Sequence, residues 1–446
     1  MGRFCHYLFM STVCLSSVLI PGGMLIVGFI SVVFASERFG LRFGGVVVVP
    51  LLSMYMLFDV KALPLFAAST AVAYGSLLVI ERRFVLFGRT TLLAAIAAGA
   101  VVPTTFALVS QVAFDQAVPL RNVAYLGSIL PGLAAFNLHR LDREERLADI
   151  IGSLTLLGGL LGLAAFFVLI RSLVVEAITF EQVIRTAERL LTATEGQIVP
   201  SPSPILPRIY IVGLFVLGLF FNEFVQKRYG LRIAGVIAIP LVALFTLYDV
   251  RLLVQYVIAT AVCAGFIRLV HRSTFLYGRN LLAGTCMLGV FLGVLATPFL
   301  PADAGLRSLM IGILAGVSAY NGHVLAPTER VDSIVVTIGA FAGSYLLAHG
   351  VAWLLGDPIA GSIETSTLVL GVLALAIACL ALVQYETRRP TDSINQVSPE
   401  GGIVPDGGAR TDERVRSDGG TKSPLAGRRS ARIGPNAEVV YRSDER

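Results

Sequence analysis

The chain has 446 residues, of which 55% are hydrophobic and 14% charged, and its mean hydropathy is +0.79. That composition excludes a soluble globular protein and fits a polytopic membrane protein; the apolar stretches are continuous, which excludes the in–out alternation of a membrane β-barrel. The net charge of +6 rests almost wholly on arginine, because Lys61, Lys227 and Lys422 are the only lysines, and it reads as loop placement against a membrane rather than affinity for nucleic acid.

The opening "MGRFCHYLFMSTVCLSSVLIPGGMLIVG" has an apolar core but no small-x-small cleavage site, so a retained helix is expected rather than a signal peptide. Six apolar segments then follow, at roughly 11–36, 44–58, 62–80, 91–113, 122–138 and 147–170. A linker comes next, with "TFEQVIRTAERLL" (179–191) patterned as an amphipathic helix and "PSPSPILP" (200–207) as an extended spacer. Six more segments lie at about 209–226, 233–248, 252–270, 281–300, 308–325 and 332–355, and a thirteenth at 364–384. Beyond 385 the chain is rich in Gly, Ser, Asp and Arg, the composition of a disordered tail. The expected fold is all-α. Pro50, Pro240, Pro131, Gly132 and Gly316 fall inside apolar segments and are read as helix breaks or re-entrant turns.

The two series are copies of one unit. At a constant offset of 190 residues, "GLRFGGVVVVP" (40–50) matches "GLRIAGVIAIP" (230–240), "FDVK" (58–61) matches "YDVR" (248–251), and "VLFGR" (85–89) matches "FLYGR" (275–279). After a small gap, "AAFNLHRLDREER" (134–146) matches "SAYNGHVLAPTER" (318–330). The resulting organisation is an N-terminal hydrophobic extension (1–23), a first membrane repeat (24–171), an external linker (172–207), a second repeat (208–355), an extra membrane helix (356–385) and a tail (386–446). Arginines crowd one set of loops, at 38–42, 82–89, 139–149, 227–232 and 268–279, which the positive-inside rule assigns to the cytoplasm together with the tail. The even segment count makes the copies parallel rather than inverted repeats.

No pattern for a catalytic nucleophile, a phosphate loop, a metal centre or a cofactor is present, and the five scattered cysteines imply neither a disulfide framework nor a metal site. The candidate contact residues are instead the repeated polar ones. Arg82, Arg89, Arg272 and Arg279 recur at the same spacing in both copies and suit an acidic partner or a polyanion, or simple anchoring to lipid headgroups. Asn137 and Asn321, with His139 and His323 two residues on, end the fifth segments, where they cap free carbonyls or line a shared mouth. Glu145-Arg146 and Glu329-Arg330 are read as beginning the sixth helices. Arg121 and Arg307, on the opposite side, are candidates for a positive exit.

"SERFGLRFGGVVVVP", "VLFGRT" and "LGSILPGLAAFN" resemble the PgsC/CapC family of membrane subunits in poly-γ-glutamate synthesis, which is usually a single unit of about half this chain. Here it is a fused tandem, with departures at Leu51, Ala315 and Lys227. The resemblance implies a subunit without catalytic residues of its own. Its implied partners are a cytoplasmic ATP-dependent ligase (PgsB/CapB), an outward-facing subunit (PgsA/CapA) and an anionic polymer that it helps to pass across the plasma membrane. The competing reading is an independent secondary transporter or channel with a site between the repeats. On this topology, single cysteines at Gly88 and Gly278 in a cysteine-free background are expected to resist an impermeant thiol reagent in intact cells, whereas one at Glu195 reacts. Labelling at Gly88 without labelling at Glu195 overturns the orientation.

Overall fold

The computed structural model describes residues 2–58, 62–83, 89–114, 129–176, 237–274, 277–300, 305–325, 330–354 and 371–380, with single positions at 218–235, 327 and 369. Among these residues the regular structure is helical and no strand occurs. The expected linker helix, Arg121 and the tail lie outside the described residues.

The first copy contributes α1 (Gly2–Phe39), α2 (Val48–Phe58), α3 (Ala62–Arg83), α4 (Arg89–Phe114), α5 (Leu130–His139) and α6 (Arg143–Glu176). The second contributes α7 (Ala238–Tyr248), α8 (Val250–Ser273), α9 (Gly278–Ala296), α10 (Gly305–Val324) and α11 (Arg330–Leu354). A further apolar helix, α12, covers Gly371–Leu380. Among the described residues, six helical stretches are long and apolar enough to cross a bilayer: Val18–Phe39, Ala62–Arg83, Arg143–Phe167, Val250–Ser273, Gly278–Phe299 and Arg330–Val351. Val79 of α3, Ile151 and Phe166 of α6, and Val257 and Ile258 of α8 stand exposed on their outer faces, as lipid-facing residues do. The expected N-terminal extension and first segment form one continuous helix, α1.

The second segment of each copy is short. α2 and α7 each have 11 residues, a rise of about 16 Å, roughly half the hydrocarbon core. Pro50 and Pro240 are not interior breaks: each is the third residue of its helix, where an intrahelical N–H donor is not needed. Each ring also packs on a glycine of the helix before it, Pro50 on Gly28 and Pro240 on Gly218, so the same knob and hole occur in both copies.

The fifth segments correct the expectation of breaks further. Gly316 lies within α10, 20 continuous residues, and Pro131 stands in the first turn of α5 with Gly132 following it. These glycines are places of close approach. The position of a Cβ on Gly132 is taken by the Ala95–Ile96 backbone of α4, and that of a Cβ on Gly316 by Thr285 and Cys286 of α9. Gly289 of α9 and Gly312 of α10 meet backbone to backbone, so two Gly-x-x-x-Gly stripes, 289/293 and 312/316, face each other.

The copies join through α1, which lies against α9 and α10. Gly22 packs on Val294 and Leu309, and Val18 on Gly305. Met24, Leu25, Phe29, Met54, Leu241 and Leu309 are fully enclosed in the resulting core. At the end of α1, Glu37 accepts a hydrogen bond from Asn280 in the first turn of α9. That contact brings an arginine-bearing turn of each copy to the same end of the bundle, as parallel repeats require. α12 breaks the symmetry. Its Ala378 seats on Gly339 of α11 and its Leu375 lies 3.8 Å from a Cβ position on Gly343, whereas Gly159, the counterpart of Gly343 in α6, has no neighbour within 4 Å of a Cβ position.

Gly132→Val and Gly316→Val are expected each to destabilise the protein in detergent by at least the ~1–3 kcal/mol typical of overpacking, because backbone rather than a mobile side chain blocks the new methyls. Gly75→Val on α3, where nothing lies within 4 Å, serves as the control. Equal thermal unfolding of all three variants would remove glycine approach as the organising contact.

Candidate functional site at the arginine-rich end

The site grows from an interruption in the helices. Between α1 and α2 the backbone turns through Gly40, Phe43, Gly44 and Gly45, all at positive φ (70°, 54°, 61° and 124°). Left-handed residues in succession turn their N–H groups toward one point, making a concavity for an anion. Asp149 of α6 fills it. Its Oδ1 accepts from the N–H groups of Arg42 (2.5 Å) and Phe43 (2.7 Å), and its Oδ2 from that of Gly44 (3.0 Å). Asp149 is buried. Asn137 of α5 supplies the complementary donor, its Nδ2 bonding the carbonyls of Gly44 (2.8 Å) and Leu133 (2.9 Å).

Arginine, not asparagine, caps the fifth helix. From the first turn of α6, Arg146 donates through Nε to the carbonyls of Leu138 (3.0 Å) and Leu141 (2.8 Å), and through Nη1 to the Tyr74 hydroxyl (2.6 Å). Arg330, which opens α11, donates to the carbonyls of Leu325 and His323 (3.2 Å each). These are the carbonyls a helix leaves free at its C-terminus. Arg146 and Arg330 therefore each stand in the first turn of one helix and close the one before it.

His139 Nε2 lies 3.2 Å from Glu81 of α3, with Tyr74 edge-on at 6.0 Å. His323, its counterpart, meets His271 of α8 with ring centroids 5.1 Å apart, and Tyr277 follows at 5.0 Å from His271. Glu81 and His271 occupy equivalent positions, so the copies share this contact and have exchanged its charge. Arg279 is exposed in the first turn of α9, next to the Asn280 that bonds Glu37 of the first copy. The Arg140 guanidinium rests over the Phe136 ring at 5.4 Å. Arg82 and Arg272 are exposed in the last turns of α3 and α8. Arg89 opens α4, and its side chain is outside the described set. Asn321 is half-buried in the last turn of α10.

At the far end of α10 the structure corrects the expected exit. Arg307 is buried, its guanidinium 3.1 Å from the centroid of the Tyr248 ring, and so it is not an open positive rim. Beside it, Gln255 donates to the Ser308 carbonyl (3.0 Å) and hydroxyl (2.9 Å), and the Ser308 hydroxyl donates to the Gly293 carbonyl (2.7 Å). The first copy has Leu65 where the second has Gln255. It also has an apolar groove of about 510 Å³ between α2, α3, α5 and α6, lined by Phe66, Ala67, Ala71, Leu154 and Leu157. The second copy carries Tyr256, Val257 and Phe341 at the positions of Phe66, Ala67 and Leu157. Among the described residues no three His, Cys, Asp or Glu side chains converge as metal ligands would.

Asp149 is the residue sequence reasoning passed over. A carboxylate less than two turns into the helix, at the start of its apolar run, is one signal for it, and its replacement by Ser333 in the second copy hides it from a search for repeated residues.

Fold and site together define an internally duplicated, all-α membrane protein of parallel repeats, whose polar side chains gather where an interrupted helix needs partners. The profile of the family described as Capsule biosynthesis CapC matches residues 27–147 and 217–331, together more than half the chain. The chain belongs to that family, in duplicated form, and with it to capsule or polymer biosynthesis at a membrane. No curated protein and no solved structure matches it.

Asp149→Ala is expected to cost roughly 3 kcal/mol, because it strands N–H donors in a buried turn. Asp149→Asn, which keeps one acceptor oxygen, should lose less. Thermal unfolding together with proteolysis at residues 40–47 reads both effects, and an Ala variant as resistant as the parent would refute the role of the carboxylate.

Proposed function

We propose that the protein is the membrane subunit of an assembly that makes and exports an anionic polymer of the poly-γ-glutamate type. In this reading the arginine-rich end faces the cytoplasm and receives an ATP-dependent ligase of the PgsB/CapB kind, with a PgsA/CapA-like subunit on the outer side. The observation that supports it is the placing of arginine-bearing turns from both copies at one end of the bundle through the Asn280–Glu37 contact. Guanidinium groups pair bidentately with carboxylates, whether on an acidic protein surface or on a polymer. Arg82, Arg89, Arg272 and Arg279 are the proposed contacts, with Asn137, Asn321, His139 and His323 shaping the floor beneath them. The transporter reading has less support, since the seam between the copies is filled by Met24, Leu25 and Phe29 rather than by polar side chains.

The test replaces Arg82, Arg89, Arg272 and Arg279 together by Gln. The variant is expected to insert normally, lose its co-purifying ligase and stop polymer output, with rising salt weakening the same association in the parent protein. A loss of about 1.4 kcal/mol per contact is tenfold in affinity, so four contacts leave no detectable complex. The matching Lys variants keep the anchoring charge without the bidentate geometry and are expected to fall in between. A Gln variant that retains both partner and polymer reduces these arginines to topological anchors.

A further inference from the structure

One face of α6 is turned away from the bundle. Thr155, Gly158, Gly159, Gly162 and Ala165 fall along it at steps of three and four residues, and all of them are exposed. They belong to the membrane-spanning stretch Arg143–Phe167, so the face meets lipid rather than water. Among the described residues nothing lies within 4 Å of a Cβ position on Gly158, Gly159 or Gly162. The Thr155 hydroxyl is committed to its own helix, donating to the Ile151 carbonyl at 2.9 Å. Glycine weakens a helix relative to alanine, and its use inside a membrane is to let a second backbone come close.

The second copy shows what this face of the repeat accepts. On α11 the residues equivalent to Thr155, Gly158, Gly159 and Gly162 are Gly339, Ala342, Gly343 and Leu346. α12 packs across them: Ala378 seats on Gly339, Leu375 reaches Gly343, and Leu346 packs on Gly371. Gly339 and Ala342 are buried there, whereas Thr155 and Gly158 are exposed. The occupant is a membrane helix, but one shaped like α12 does not suit α6. Thr155 stands where α11 has the hole for Ala378, and Gly162 stands where it has the knob that meets Gly371. What α6 presents is a Gly-x-x-x-Gly stripe, 158/162, and this chain pairs such a stripe with its like: 289/293 of α9 faces 312/316 of α10, backbone against backbone at Gly289 and Gly312.

We infer that the exposed face of α6 is a self-association surface, on which α6 of a second molecule of the same chain packs stripe to stripe. A two-fold axis along the membrane normal generates the contact. Both molecules share one orientation in the bilayer, so Gly158 and Gly162 of each meet the same residues of the other at the same depth. Ile151 and Phe166, exposed on this face at either end of the stripe, extend the contact with larger side chains. The inference goes beyond the polymer-handling reading and does not depend on it.

The test follows the full chain, fluorescently labelled and reconstituted in liposomes of zwitterionic lipid, by single-molecule photobleaching over a series of protein dilutions. The parent protein is expected to dimerise reversibly. Gly158→Leu combined with Gly162→Leu is expected to weaken the dimer by roughly tenfold or more, because the new side chains hold the backbones apart. The open space around both glycines lets that variant fold as the parent does, which thermal unfolding verifies. Gly75→Leu, at an equally open glycine of α3, should leave the dimer unchanged. In the cysteine-free background, Thr155→Cys is expected to cross-link into a dimer on oxidation, and Val79→Cys, exposed on α3, is not. A parent protein that stays monomeric at every dilution overturns the inference and assigns the face to a different chain or to another segment of this one. A dimer that survives the leucine pair, or that cross-links through Val79 instead of Thr155, overturns it too. Polymer output and ligase binding are read separately, so none of these results bears on the arginine contacts.

Discussion

Backbone polar groups inside a membrane bundle must find partners within the protein, and this chain interrupts a helix where that demand is most severe. At the buried residues Phe43 and Gly44 of the turn, no helical ladder satisfies the backbone. Asp149 takes three of its N–H groups and Asn137 binds its Gly44 carbonyl, so α5 and α6 are held to α1 and α2 by the needs of the interruption itself. The left-handed Phe43 is tolerable for the same reason, since a carboxylate bound by several donors outweighs the roughly 1–2 kcal/mol of a left-handed residue. With the turn anchored there, the neighbouring arginines come to rest at one end of the bundle and at the seam.

Duplication shows which contacts the architecture depends on and which it leaves free. The Gly–Pro contacts, the glycine approaches at Gly132 and Gly316, and the arginine caps at Arg146 and Arg330 occur in both copies. Each governs helix spacing or helix ends, where a backbone cannot adapt. The side chains that diverge, Asp149 to Ser333, Glu81 to His271 and Leu65 to Gln255, change charge or polarity within an unchanged frame. The two copies are therefore alike in scaffold and unlike in chemistry.

The glycine stripes of α9 and α10 serve a second purpose beyond spacing. In lipid no hydrophobic effect drives helices together, so association relies on close van der Waals approach. Backbone contact at Gly289 and Gly312 gives the second copy a stiff central pair, against which α1 of the first copy packs. A stiff pair there holds the first turn of α9 against the end of α1, where Asn280 bonds Glu37, and so links mid-bundle packing to the polar end.

The sequence by itself determined the membrane class, the duplication and the family, because hydropathy, periodic polar landmarks and motif order are local properties written along the chain. It also placed Glu145 at the start of the sixth helix of the first copy, since a carboxylate at a helix N-terminus is a local preference. Only the tertiary structure decided that Gly316 joins two helices instead of breaking one, as a glycine looks the same in either role until a backbone is found against it. It alone showed that Arg307 lies buried over Tyr248, that Arg146 caps the helix Asn137 was expected to cap, and that Asp149 binds a turn more than a hundred residues away. Those outcomes depend on which groups meet across the bundle, and hydropathy along one chain carries no record of that.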